Sequence, residues 1–174
     1  MKTKMLLAAV ATFTSVPFTA QAAFENAPVF ATMTGGISDY EGVDDTSFTK
    51  GFLIGFTPVR MLDIELGYMD LGEVSLTDDL FGAPTTQVKT FYLAAKPTLT
   101  VGLMDLYARA GFAHWNLDVK YNGETSSDSG NDLMYGAGID FHLTDQVTVG
   151  VGYTTYEIDD STVGSLEANA TFNF

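Results

Sequence analysis

The chain has 174 residues, a single-domain length, and a formal net charge of −14. That charge opposes contact with nucleic acid, and no basic patch with interleaved aromatics offsets it. The absence of cysteine excludes disulfides and thiolate metal sites. The hydrophobic content of 46%, with 13% aromatic residues, must therefore be placed by some other organisation than a cross-linked core.

In chain order, Lys2 and Lys4 give a basic start, Met5 to Ala11 an apolar run, and Ala20-Gln21-Ala22 a small-x-small cleavage site. This pattern is that of a secretory signal peptide over residues 1–22, leaving 23–174 as the mature domain. No later stretch approaches the ~20 apolar residues of a membrane helix. The apolar residues instead alternate with polar ones, the weak per-segment signature of a transmembrane β-barrel. Eight period-two segments are predicted, at about 28–37, 48–56, 61–70, 87–97, 104–115, 131–142, 147–157 and 163–174. In the third, Leu62, Ile64, Leu66 and Tyr68 alternate with Asp63, Glu65, Gly67 and Met69. The sixth and seventh set Leu133 to Phe141 and Val147 to Tyr153 against a face containing Gly136, Gly138, Gly150 and Gly152. Small and charged residues on one face suit the interior of a narrow barrel. A soluble β-sandwich or calycin-type barrel is the competing architecture.

The connections alternate in length. Thr57 to Arg60, Thr98 to Leu103 and Leu143 to Gln146 are tight. Ser38 to Ser47, Leu71 to Thr86 and Asn116 to Gly130 are long, and Ile158 to Thr162 is intermediate. Short periplasmic turns and longer external loops produce this asymmetry. With strand direction so fixed, Phe56, Phe141, Phe172 and Phe174 fall at the periplasmic edge. Tyr68, Phe91, Phe112, Tyr135 and Tyr153 fall at the outer edge, giving two aromatic girdles. Acids gather near the external connections, among them Asp39, Asp44, Asp45, Asp70, Asp78, Asp79, Asp118, Asp128, Asp132, Glu157, Asp159 and Asp160. No twelve-residue Ca²⁺ loop pattern occurs among them, so neither a metal site nor a cofactor is expected.

Several segments together resemble the OmpA-like transmembrane domain. They are Ile64-Glu65-Leu66-Gly67-Tyr68 with Asp70-Leu71-Gly72, Leu93-Ala94-Ala95-Lys96, Asp105 to Gly111 with Trp115, and Gly138-Ile139-Asp140-Phe141. The resemblance implies an all-β fold: an eight-stranded antiparallel up-and-down transmembrane β-barrel, integral to the outer membrane of a Gram-negative bacterium. It also implies a lumen charge network of Glu65, Lys96, Arg109 and Asp140. The family's basic residue on strand seven corresponds here to Gly150, so Glu65 is left to Lys96, Arg109 or water. The tail Glu167-x-Asn169-x-x-Phe172-x-Phe174 resembles the signal read by the barrel-assembly machinery, with Asn169 where Gly is usual. Many relatives continue into a peptidoglycan-binding domain, whereas this chain ends on the barrel, so peptidoglycan anchoring is not expected.

The function expected is a non-enzymatic structural role in the envelope, with at most a narrow, ion-pair-obstructed pore. Outer-membrane lipid and lipopolysaccharide are the expected partners. A loop-mediated adhesin or receptor remains an alternative. So does a lipid A-modifying enzyme, for which the only histidines are His114, aimed at lipid near the outer edge, and His142 at the periplasmic end.

Overall fold

The computed structural model describes residues 27–41, 46–75, 85–121, 124–158 and 161–174. The expected signal peptide, the acids Asp44, Asp45, Asp78, Asp79, Asp159 and Asp160, and the run Leu80 to Pro84 lie outside these residues. The strands are β1 (Val29–Tyr40), β2 (Thr46–Val59), β3 (Leu62–Ser75), β4 (Thr85–Val101), β5 (Met104–Tyr121), β6 (Glu124–His142), β7 (Val147–Ile158) and β8 (Ser161–Asn173). Each pairs antiparallel with the next, and β8 returns to β1 to close the barrel. The expected architecture is therefore the one observed. At the tail, the Phe174 N–H donates to the Val29 carbonyl at 2.9 Å.

Paired residues followed once around the barrel run from Val29 through Phe56, Ile64, Ala95, Ala110, Tyr135, Thr155 and Gly164 to Asp39, ten residues further along β1. Ten residues of stagger over eight strands correspond to a strand tilt of about 40°. A barrel of this size leaves room inside for side chains only. The alternation sorts accordingly. Met33, Phe52, Leu66, Phe91, Phe112, Val151 and Tyr153 are all about half or more exposed on the outer wall, while Leu53, Met69, Tyr92, Trp115 and Tyr156 are buried inside. Large exposed aliphatic and aromatic side chains all around the wall form a lipid-facing belt. β1, ambiguous in the sequence, turns Phe30, Thr32, Ser38 and Tyr40 inward.

The strands outrun their predicted ends, most of all at the third external connection. The segment Asn116 to Gly130 is not a loop, because β5 and β6 stay paired residue for residue as far as Tyr121 and Glu124. β7 pairs with β6 only up to Met134, opposite Tyr156. The outer part of β6 thus has no buried face, Ser126 to Ser129 are exposed, and no alternation marks it as strand. The His142 N–H points to β5 and the Leu143 N–H to β7. Odd-numbered residues of β6 therefore present their backbone groups to the open edge. On that edge the Ser129 N–H is held by the Asp128 carboxylate at 2.8 Å, a charged self-cap of the kind that resists addition of another strand.

Two local features shape the wall. Gly72, with φ +88°, lies where the β3–β4 register shifts between Asp70 and Glu73. A left-handed residue at a bulge is a glycine position. Gly138 and Gly152 face each other across β6 and β7, and a Cβ on either would meet the Tyr107 phenol. The small lumen face read from the sequence is thus a seat for an aromatic ring. Gly152→Ala should lower stability by about 1–3 kcal/mol through overpacking. Tyr107→Phe in the same chain should recover much of that loss, as measured by urea unfolding in detergent micelles.

Candidate functional site

The lumen is crossed by one chain of charges. On β4, Lys96 Nζ lies 2.8 Å from Asp140 Oδ2 of β6 and 3.8 Å from Glu65 Oε1 of β3. On β5, Arg109 Nε lies 2.8 Å from Glu65 Oε2, a charge contact without hydrogen-bond alignment. Arg109 Nη1 reaches across to Glu167 Oε2 of β8 at 3.7 Å and to Thr154 Oγ1 of β7 at 3.5 Å. The Asn169 amide donates to Asp140 Oδ1 at 3.3 Å. Six of the eight strands therefore converge on this layer. Two cations and three carboxylates share it, all at most 9% exposed. Burying charges is costly unless they are paired, and here each ion meets at least one of opposite sign.

Aromatic faces complete the layer. Lys96 Nζ sits 4.4 Å from the Tyr107 ring centroid, and the Arg109 guanidinium lies 5.6 Å from that ring and 5.9 Å from the Tyr92 ring. Such cation–π contacts add to the ion pairs where water is excluded. Towards the outside the lumen is filled by Met69, Leu71, Val88, Trp115, Met134 and Tyr156, all at most 4% exposed. Two polar tips within that outer half are anchored: Tyr40 donates to the Leu71 and Gly72 carbonyls at 3.1 and 3.2 Å, and Trp115 to Asp132 at 2.8 Å. On the periplasmic side a cavity of ≈190 Å³ opens, lined by Asp63, Lys96, Asp105, Asp140, His142 and Asn173 among others. Buried hydroxyls, among them Ser38, Thr49, Thr90 and Ser165, stand between these outer side chains, while below the ions the lumen opens into the cavity.

All four residues expected in the charge network, Glu65, Lys96, Arg109 and Asp140, meet in the lumen. Glu65 uses both remaining cations, Arg109 more closely than Lys96. Gly150, where the resemblance implied a basic residue in the family, leaves the space taken up by the Asp140 carboxylate, which a Cβ there would strike. Glu167 and Asn169, singled out for the tail signal, also belong to the network, and their inward parity on β8 was the signal that could have placed them there. Phe172 and Phe174 face outward with ring centroids 5.1 Å apart.

His114 points outward and contacts Asn131 Oδ1 at 3.0 Å. His142 is turned inward at the periplasmic mouth, where Nε2 meets Asp105 Oδ2 at 2.7 Å and Nδ1 meets Thr148 Oγ1 at 3.0 Å. Sequence reasoning missed this Thr148–His142–Asp105 series, because it depends on cross-strand register. Among the described residues no three His, Cys, Asp or Glu side chains converge as metal ligands.

The chain matches the outer membrane protein beta-barrel domain over residues 6–174. No curated protein matches it. Among solved structures, it is similar to Neisserial surface protein A, with a TM-score of 0.65 and 14% identity over 85% of this chain and 97% of that one. The N-terminal barrel of Pseudomonas aeruginosa OprF gives a TM-score of 0.64 and 17% identity, covering 84% and 97%. Ail, the attachment invasion locus protein of Yersinia pestis, gives 0.59 and 16%, covering 85% and 97%. At such identities the likeness is one of fold. The lipid-facing belt, the closed eight-stranded meander and the match along 6–174 lead to one conclusion: the chain belongs to the outer membrane protein beta-barrel domain family and is an integral protein of a Gram-negative outer membrane.

Proposed function

We propose that the protein is a non-enzymatic structural barrel of the envelope whose lumen is closed to solutes. The observation that carries this reading is the stacking of buried side chains, Met69, Leu71, Trp115, Met134 and Tyr156 among them, on a layer of interlocked charges. A solute moving through would have to part buried ion pairs and then displace packed side chains, and each step costs several kcal/mol. The outer wall then carries the protein's contacts, with lipopolysaccharide and other outer-membrane lipid as partners. The tail Glu167, Asn169, Phe172 and Phe174 serves the barrel-assembly machinery during insertion, and Glu167 and Asn169 afterwards lock into the lumen.

Catalysis is disfavoured on physical grounds even at the Thr148–His142–Asp105 series. A hydroxyl nucleophile acting on an acyl group needs preorganised N–H donors for the developing oxyanion. In the barrel wall the backbone N–H groups are committed to the ladder, and Thr148 is buried within it. A receptor role for the external side is favoured by one feature, the β5–β6 ribbon that carries exposed Ser126 to Ser129 past the end of β7.

Arg109→Met strands Glu167 in the lumen, leaves Glu65 only Lys96 at 3.8 Å, and should cost about 3–5 kcal/mol, read by urea titration of the folded barrel in lipid vesicles. Adding Glu65→Gln and Glu167→Gln should restore most of that loss if the charges, and not the arginine's bulk, are responsible. In planar bilayers the unaltered barrel should show no single-channel steps. Cutting the plug with Arg109→Ala, Tyr92→Ala and Tyr156→Ala together should produce them. Regular steps from the unaltered protein would overturn the closed-lumen reading.

A further inference from the structure

The eight basic residues are few enough to place individually. Lys2 and Lys4 belong to the expected signal peptide, Lys96 and Arg109 are in the lumen, and Arg60 is at the periplasmic turn between β2 and β3. Of the three that remain, Lys50 on β2 and Lys89 on β4 lie in a single register row, on either side of Asp70 of β3. Their parity matches that of Phe52 and Phe91, so they stand on the outer wall. With strands about 4.8 Å apart, the two lysine backbones are roughly 10 Å from each other.

Asp70 supplies one negative charge between the two lysines. Its carboxylate accepts the Gly72 N–H at 3.1 Å and the Gln87 amide at 3.5 Å, while neither lysine forms an ion pair among the described residues. Two lysines flanking a single acid leave this row net positive, against the net charge of −14 of the whole chain. One row towards the membrane, Phe52, Tyr68 and Phe91 form a continuous ladder, with ring centroids 5.8 and 4.8 Å apart. Tyr68 and Phe91 belong to the expected outer girdle, with Phe52 packed beside them, and such a girdle sits at the level of the lipid headgroups. A lysine just beyond that level keeps its ammonium in the headgroup layer while its stem lies along the rings.

We infer that this face is a binding site for a phosphorylated glycolipid of the outer leaflet. Lys50 and Lys89 bracket a headgroup phosphate, and the Phe52–Tyr68–Phe91 ladder receives the adjoining acyl chains. The lysines act as strongly hydrated point charges on flexible stems, suited to a phosphate approached from two sides. The site gives a location to the lipopolysaccharide contact proposed above, and it rests on that reading.

The test is native mass spectrometry of the refolded mature barrel in detergent with EDTA. The probes are lipid A bearing both phosphates, dephosphorylated lipid A, phosphatidylcholine and inorganic phosphate. The unaltered protein should retain one bisphosphorylated lipid A and lose it when the phosphates are removed. Lys50→Gln with Lys89→Gln should weaken retention about tenfold or more, since charge-assisted contacts supply the binding. Lys50→Arg with Lys89→Arg should keep most of it, and Arg60→Gln on the periplasmic turn should change nothing. Heat-modifiable gel migration checks that every variant is folded. If the folded double-Gln variant retains lipid A as well as the unaltered chain, the site is wrong while the lipopolysaccharide reading stands. If the unaltered barrel retains no phosphorylated lipid, that broader reading fails with it. Full displacement by inorganic phosphate would mark a free-anion site and overturn the lipid assignment.

Discussion

The pairing of β8 with β1 is the constraint on which the other features depend. In a bilayer a strand edge has no water to satisfy its backbone groups, so the sheet must close. Closure with ten residues of stagger sets both the tilt of the strands and the bore of the lumen. That bore excludes a water channel of any width but still has to be filled. Filling it with aliphatic groups alone would make the lumen face as apolar as the lipid face, so the contrast between faces that fixes register would be lost. The charge layer answers this, as Lys96, Glu65, Arg109, Asp140 and Glu167 form their contacts in one register only.

Buried ion pairs are weak evidence for net stability, since desolvation can exceed the attraction. Their value here is better seen in what they exclude. A slip by one residue would turn Glu65 or Arg109 outward into hydrocarbon, where an unpaired charge is severely unfavourable. The network thus penalises wrong assemblies more than it strengthens the right one. The same logic accounts for Gly138, Gly150 and Gly152: each clears the space that a tyrosine ring or a carboxylate needs at this level. Charge and small residues form one design, and neither is interpretable without the other.

The sequence made the fold legible wherever one face of a strand met lipid and the other met the lumen. Leu62 to Met69 and Leu133 to Phe141 alternate cleanly for that reason, and the inward parity of Glu65 and Asp140 followed directly. Legibility ended where that contrast ended. The outer part of β6 has solvent on both faces and on one edge, so Ser126 to Ser129 carry no period and read as a loop. Glu167 and Asn169 were noticed for their place in the tail, although the same alternation turned them towards the charges. The His142–Asp105 contact, by comparison, joins residues on different strands. Which pairs meet across a barrel is fixed by stagger, a quantity that no single strand encodes.

The two ends of the lumen differ in a way that bears on where the protein can act. Below the ions lies a cavity with titratable walls, open to the periplasm; above them the interior is closed by buried Tyr92, Trp115 and Tyr156. On the closed-lumen reading proposed above, the protein meets its surroundings through its wall and its external ribbon. On the wall, the residues that break the apolar pattern are the informative ones. An exposed lysine among aromatic rings is unfavourable in hydrocarbon and nearly neutral at the headgroup level. Lys50 and Lys89, on either side of Asp70 and one row beyond the Phe52–Tyr68–Phe91 ladder, are therefore the positions at which the wall would meet a lipid phosphate under the proposal above.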